Sequence, residues 1–185
     1  MKKSLVALMM ATVLCLCACA TAETIDTFGF TAEQYVESFQ TNYPNATAAQ
    51  EENGLVLQTE EGAPVLVTYD MNGLCTVLSA EVKIPLTQSE SANSEGQRLG
   101  LSATSIMTSA RSIDLGGDDE AILEDMGTMI QGFTELLTSF SDEDYENCIT
   151  EPVTHEAEIC THLAQMTFSF DLLSMSMVMT FCYLP

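Results

Sequence analysis

Positive charge is what this chain has least of. Lysine and arginine together number five against 27 acidic residues, for a formal net charge of −22 over 185 residues. Lys2 and Lys3 stand at the extreme N-terminus, so only Lys83, Arg98 and Arg111 oppose the acidic residues, all of which lie beyond Ala22. Such a field repels phosphate backbones and anionic headgroups. Nucleic acid is thereby excluded as a partner, and a membrane is reachable only through a lipid anchor or as an export route. Solubility and an attraction for cations are what the charge favours.

Other absences are as useful. No apolar run approaches the about 20 residues of a transmembrane helix; the run from Leu5 to Leu16 is too short. No Cys-x₂-Cys spacing is present for a structural zinc site. GxSxG, a phosphate-cradling glycine loop and a nucleotide fingerprint are all missing, so no catalytic residue and no cofactor is nominated.

What is there begins with an export signal, residues 1–22. Lys2 and Lys3 form its positive end and Leu5 to Leu16 its apolar stretch. "LCAC", Leu16 to Cys19, places a small residue before a cysteine. That stretch resembles the lipobox of bacterial lipoproteins, although Cys17 stands where Ala, Ser or Thr is usual. The resemblance covers the leader alone, and implies lipidation at Cys19 with the membrane anchorage that follows. A second reading cuts after Ala20-Thr21-Ala22 and releases a soluble protein starting at Glu23. Residues 23–185 suffice for a single domain.

Four cysteines remain past the leader: Cys75, Cys148, Cys160 and Cys182. An even number outside the cytoplasm predicts two disulfides, with three connectivities open.

Periodicity predicts an α+β domain in the order α-βββ-αα-βββ. "FTAEQYVESFQTNYP" opens a helix with Thr31 as N-cap, Gln34 at N3 and a Phe30–Tyr35 staple, closed by Pro44. Strands are expected near 54–60, 64–70 and 74–84, with Glu61-Gly62 and Asn72-Gly73 as turns. "TQSESANSEGQ" reads as loop. Leu99, Ala103, Ile106, Ala110 and Ile113 mark one helix. After Gly116-Gly117 a second carries Ile122, Met126, Met129, Ile130, Phe133, Leu137 and Phe140 as its buried stripe. Strands near 153–162, 165–171 and 174–184 complete the domain. In the last, Met175, Met177, Met179, Phe181 and Tyr183 alternate toward the core. The order hints at two related halves, without a residue-level repeat.

Six or so strands in hairpins, with three helices between and around them, predict an antiparallel sheet covered by helices mainly on one face. By parity the uncovered face carries Cys75, Val77, Ser79, Glu156, Glu158, Cys160, His162, Thr167, Ser169, Ser174, Ser176, Val178, Thr180 and Cys182.

Four local patterns bear on chemistry. "THEAEICTHL" holds both histidines, His155 and His162; Cys160 and His162, on one side of a strand, suit a metal or a Cys-His dyad, but HExxH fails at Ile159. "MSMVM" resembles the Met-x-Met spacing of copper-handling envelope proteins, yet the alternation continues into Phe181 and Tyr183, which favours core packing. Asp142, Asp144 and Glu146 alternate like the start of a calcium loop, but Asn147 and Val153 occupy the glycine and glutamate places. Ser141 with Asp144 reads better as a helix N-cap. Asn45-Ala46-Thr47 is a glycosylation sequon, without meaning in a bacterium.

Three functions are weighed. The leading one is a non-enzymatic extracytoplasmic protein that binds a protein or glycan partner through the open sheet face. An acidic cation-binding envelope protein is the alternative, and an enzyme using Cys160 and His162 ranks last.

Overall fold

A computed structural model describes residues 26–52, 54–87, 92–171 and 173–184. Cys19 and both cleavage points lie outside the described residues. The first helix, α1 (Ala32–Asn42), starts as its sequence dictates. Thr31 Oγ1 accepts from the Gln34 amide at 3.2 Å, and Gln34 Oε1 accepts from the Thr31 amide at 2.8 Å. Phe30 stacks on Tyr35 with ring centroids 5.8 Å apart, which fixes the entry angle.

Seven strands follow: β1 (Thr47–Glu51), β2 (Gly54–Gln58), β3 (Val65–Tyr69), β4 (Cys75–Pro85), β5 (Val153–Ile159), β6 (His162–Phe170) and β7 (Ser174–Tyr183). Between β4 and β5 come α2 (Ala92–Asp114), α3 (Asp119–Thr138) and α4 (Asp142–Asn147). The strands form one antiparallel sheet in the order β1-β2-β3-β4-β7-β6-β5. Two meanders, β2-β3-β4 and β5-β6-β7, thus meet at the β4–β7 seam. The α+β class and open antiparallel sheet are as expected; the described residues hold seven strands and four helices instead of six and three. The added strand, β1, has every residue exposed, so its sequence carries no alternation to read.

The helices cover one face. Tyr35 and Phe39 of α1, Leu99, Ile106 and Met107 of α2, and Met129 and Leu136 of α3 are essentially inaccessible. They pack against Leu57, Val67, Leu78, Met166 and Phe181. Each such side chain contributes roughly 1.5–3 kcal/mol by leaving water. Phe133 of α3 meets Phe181 of β7 edge-on, centroids 5.9 Å apart. Small residues let α2 approach its neighbours closely: Ser38 Oγ of α1 donates to the Ser109 carbonyl at 2.9 Å, and Ser102 Oγ of α2 to the carbonyl of Ala63 in the β2–β3 loop at 2.8 Å.

Several expectations need correction. Helix α2 begins at Ala92, inside the stretch read as loop. In α3 the buried stripe includes Leu136, whereas Ile130 and Leu137 are 58% and 48% exposed. Gly132 explains this rotation. A Cβ there would stand 2.8 Å from Ile159 Cγ1, so α3 lies against β5 along its glycine and turns Met129, Phe133 and Leu136 inward. Met177, Met179 and Phe181 are buried as expected, but Tyr183 is 40% exposed at the end of β7.

Three parity assignments fail, for two reasons. Register shifts between Thr68 and Tyr69, so that Thr68 faces Val77 and Tyr69 faces Cys75, with Thr76 as the extra residue of a bulge. Cys75 therefore joins the covered face and is fully buried. Ile159 pairs directly with His162, which leaves Cys160 and Thr161 as a two-residue turn with Cys160 at φ +56°. His162 thus opens β6, on the covered face, and is 1% exposed.

Candidate functional site

The uncovered face is built by the register. Ala49, Val56, Leu66, Ser79, Thr180, Gln165 and Glu156 form a single row across all seven strands. Glu81, Val178, Thr167 and Thr154 form the next, and Lys83, Ser176 and Ser169 a third. On the other side of the long row Cys182, Leu163 and Glu158 lie side by side. Val77, Ser79, Glu156, Glu158, Thr167, Ser169, Ser174, Ser176, Val178, Thr180 and Cys182 are on this face as expected. Cys75, Cys160 and His162 are not. Leu66, Leu163 and Gln165 belong to it and were overlooked, although the alternation of β3 and β6 carried the signal.

Its polar side chains bond sideways. Ser176 Oγ donates to Glu81 Oε1 at 2.6 Å, and Lys83 Nζ lies 3.4 Å from the same oxygen. Gln165 Nε2 donates to Glu156 Oε2 at 3.1 Å, and Thr154 and Thr167 share a hydroxyl bond of 2.8 Å. Between them Val56, Leu66, Val77, Leu163 and Val178 are half-buried by neighbours and roofed by no described helix. The result is a broad surface of mixed apolar and hydroxyl character.

The Cys160–His162 pair has a different surrounding from the one expected. Arg111 of α2 donates from Nε to Asp125 of α3 at 2.7 Å, and from an η nitrogen to Asp114 at 3.2 Å and Thr161 Oγ1 at 3.3 Å. Thr161 Oγ1 also lies 3.3 Å from His162 Nδ1. Arg111 can only donate, so Thr161 Oγ1 accepts from it and links the guanidinium to the imidazole edge. Nε2 is 3.9 Å from Asp114 Oδ2. Phe28 stacks on the ring at 5.2 Å.

Burial, and secondly the Arg111 charge, push the His162 pKa down to about 4, so the ring is neutral. Burial raises the Asp114 pKa against the opposing pull of Arg111. Burial also raises the Cys160 thiol, with Asp125 adding and Arg111 subtracting. A thiol shifted that way is a poor nucleophile. The cluster ties two helices to the β5–β6 turn.

His155 belongs to a second polar cluster. Its Nδ1 is 2.8 Å from Ser139 Oγ, its Nε2 is 3.5 Å from Asp144 Oδ2, and Phe140 stacks on it at 4.1 Å. Serine, histidine and aspartate here mimic a hydrolase triad, but the roles are reversed. Ser139 Oγ already donates to the Leu136 carbonyl at 2.7 Å, so at His155 it accepts. It also caps the C-terminus of α3, the negative end of a helix, which opposes an alkoxide.

Asp144 has its own structural task. Its carboxylate accepts from the Ser141 amide at 2.8 Å and hydroxyl at 2.7 Å, completing the capping box of α4. Those Ser141 bonds hold its pKa low. Asp142 and Glu146, one turn apart on α4, do not converge with it; among the described residues no three His, Cys, Asp or Glu side chains are grouped to hold a metal.

Among the described residues Cys75, Cys148 and Cys160 stand as thiols, and no two of these three are joined. Position keeps Cys148 from Cys160 and from Cys182. The Cys148 carbonyl accepts from the Phe170 amide at the end of β6, whereas Cys160 precedes its start and Cys182 pairs with Leu163 near that start. Eight residues of strand separate those ends by about 26 Å, far beyond disulfide reach. Cys75 sits in the core on the opposite face from Cys182, its pKa pushed up by burial to about 12. Compared with known proteins, the chain matches no family, no curated protein and no solved structure.

Proposed function

We propose that this is an exported protein, tethered to the membrane through a lipid on Cys19, that binds a partner protein with its uncovered sheet face. The observation that carries the reading is the seven-strand row from Ala49 to Glu156, on a face that no described helix covers. Seven strands about 4.8 Å apart and about 7 residues long offer roughly 700 Å². A standard interface buries about 800 Å² per partner. Half-buried Val56, Leu66, Leu163 and Val178 supply apolar area, and the serine and threonine hydroxyls among them supply hydrogen bonds. Lateral bonds such as Ser176–Glu81 hold side chains in place before binding, which lowers the entropic cost. The tether keeps the domain close to envelope partners.

Leu66→Arg with Val178→Arg places two charges on this face without touching the core. Native electrophoresis of gently solubilised envelopes is the test. The wild type is expected in a species larger than the monomer, and the double variant at monomer size. Co-migration of the two in the same large species contradicts the proposal.

A further inference from the structure

We infer that the groove between α1 and β1 is a second binding site, which takes an extended cationic segment of a partner protein as an added strand on β1. The groove measures about 730 Å³. Val36, Ala48, Leu55 and Tyr69 line it, with Glu33 and Glu37 along α1. None of these six side chains faces the uncovered sheet face, so the inference is independent of the proposed function.

Three features specify the occupant. The first is an edge on which no described strand lies. β1 is last in the sheet and pairs with β2 in unbroken register from Thr47↔Gln58 to Glu51↔Gly54. Natural edges are usually blunted by lysine, proline or a bulge. "TAAQE" has none of these. At the opposite edge, β5, the helix side is packed by α3 and capped at His155 by Phe140.

The second is a missing roof. Ala48 pairs with buried Leu57, so it points to the helix side, yet it is exposed. Gln50 leans across instead, its Nε2 donating to the Gly54 carbonyl at 2.9 Å and to Tyr69 Oη at 3.2 Å. A strand added beyond β1 sends alternate side chains over this short alanine and onto Val36, Leu55 and Tyr69.

The third is charge. Glu33 and Glu37 stand one helical turn apart, about 6 Å. Same-side residues of an extended strand repeat every 6.6–6.8 Å or about that. Among the described residues the ion-paired cations are committed elsewhere: Lys83 to Glu81, Arg98 to Glu95, Arg111 to Asp114 and Asp125. Lysines at alternate positions lay their stems on the apolar floor and bring their ammonium groups to the two glutamates. A second copy of this chain is a poor occupant, because its own edge adds Glu51 to a molecule of net charge −22.

Amide NMR shifts of the purified protein, titrated with a nine-residue peptide alternating lysine and valine, test the inference. Saturable shifts at Thr47 to Glu51, Val36 and Leu55 are expected, weakening at least tenfold between low and high salt. A glutamate-valine peptide should not bind. E33Q with E37Q, both exposed positions, should weaken binding at least fivefold. Methylating the lysine-valine peptide's backbone nitrogens at one set of alternate residues should abolish binding, and at the other set should leave it. The inference is overturned by shifts confined to the open face, by binding that ignores E33Q/E37Q, by indifference to both methylation patterns, or by a β1-to-β1 dimer that forms without peptide.

Discussion

Replacing His162 by glutamine should make the protein less sensitive to acid, by an amount the structure lets one calculate. His162 is 1% exposed, stacked on Phe28 and neutral, with its pKa brought from 6.5 to about 4 chiefly by burial. Unfolding returns the ring to water, where it binds a proton below about pH 6.5. The unfolded state therefore holds more protons, and stability falls as pH drops from about 6.5 toward 4. Each unit is worth about 1.4 kcal/mol, so the loss by pH 4.5 is about 2.7 kcal/mol from this residue. Net stabilities of about 5–15 kcal/mol make that a large share.

Facing groups set the controls. Arg111 keeps its charge throughout, and Asp114, whose pKa burial raises, takes its proton in the folded state and opposes the loss. Urea unfolding at pH 7 and pH 4.5 gives the change for each protein. Wild type should lose about 2–3 kcal/mol more than His162→Gln over that interval. Equal losses, within about 0.5 kcal/mol, refute the assignment of a buried neutral imidazole.

Three further outcomes are expected. Arg111→Met leaves Asp114 and Asp125 without their cation in a half-buried site and should cost about 2–3 kcal/mol by thermal or urea unfolding; Arg111→Lys should recover less than half, since one ammonium cannot reproduce donors on separate nitrogens. Denatured without reductant, the chain should yield alkylatable thiols at Cys75, Cys148 and Cys160, located by peptide mass spectrometry; any of the three recovered unalkylated before reduction contradicts the thiol assignment. Cys19→Ala should release the protein from membranes, and the wild-type N-terminus should be a diacylated cysteine; a wild type that begins at Glu23 contradicts the anchor.

The capping box of α1, the inward methionines of β7 and the helix-on-one-face arrangement were legible because local chemistry and periodicity agree there. Thr31 and Gln34 satisfy each other whatever the rest of the chain does. Met177, Met179 and Phe181 alternate across a strand long enough to establish its period. What escaped was decided by contacts distant in sequence. The β4 bulge at Thr76 is set by pairing with β3, and nothing in "LCTVLS" announces it. Gly132 rotates α3 only because Ile159 awaits it.

The site was legible in part for the same reason. Val178, Thr180 and Ser176 follow from alternation within one strand. Cys160 and His162 were misplaced because the β5–β6 turn uses Cys160 at positive φ instead of the glycine or asparagine that marks such turns. Once the turn is Cys160-Thr161, His162 pairs with Ile159 and must face inward. Neither the Arg111 cluster nor the Ser139–His155–Asp144 contact could be read from spacing. Their members are brought together by the packing of α2, α3 and α4 on the sheet.

Site-specific photocrosslinking in the producing cells tests the central claim most directly. A photoreactive residue at Thr180, in the middle of the seven-strand row, should trap one discrete partner protein, as should one at Thr167 on the neighbouring row. The same residue at Thr134, exposed on α3, should not trap it. Crosslinks that form equally at Thr134, or none at Thr180 and Thr167, contradict the assignment of the uncovered face as the binding surface.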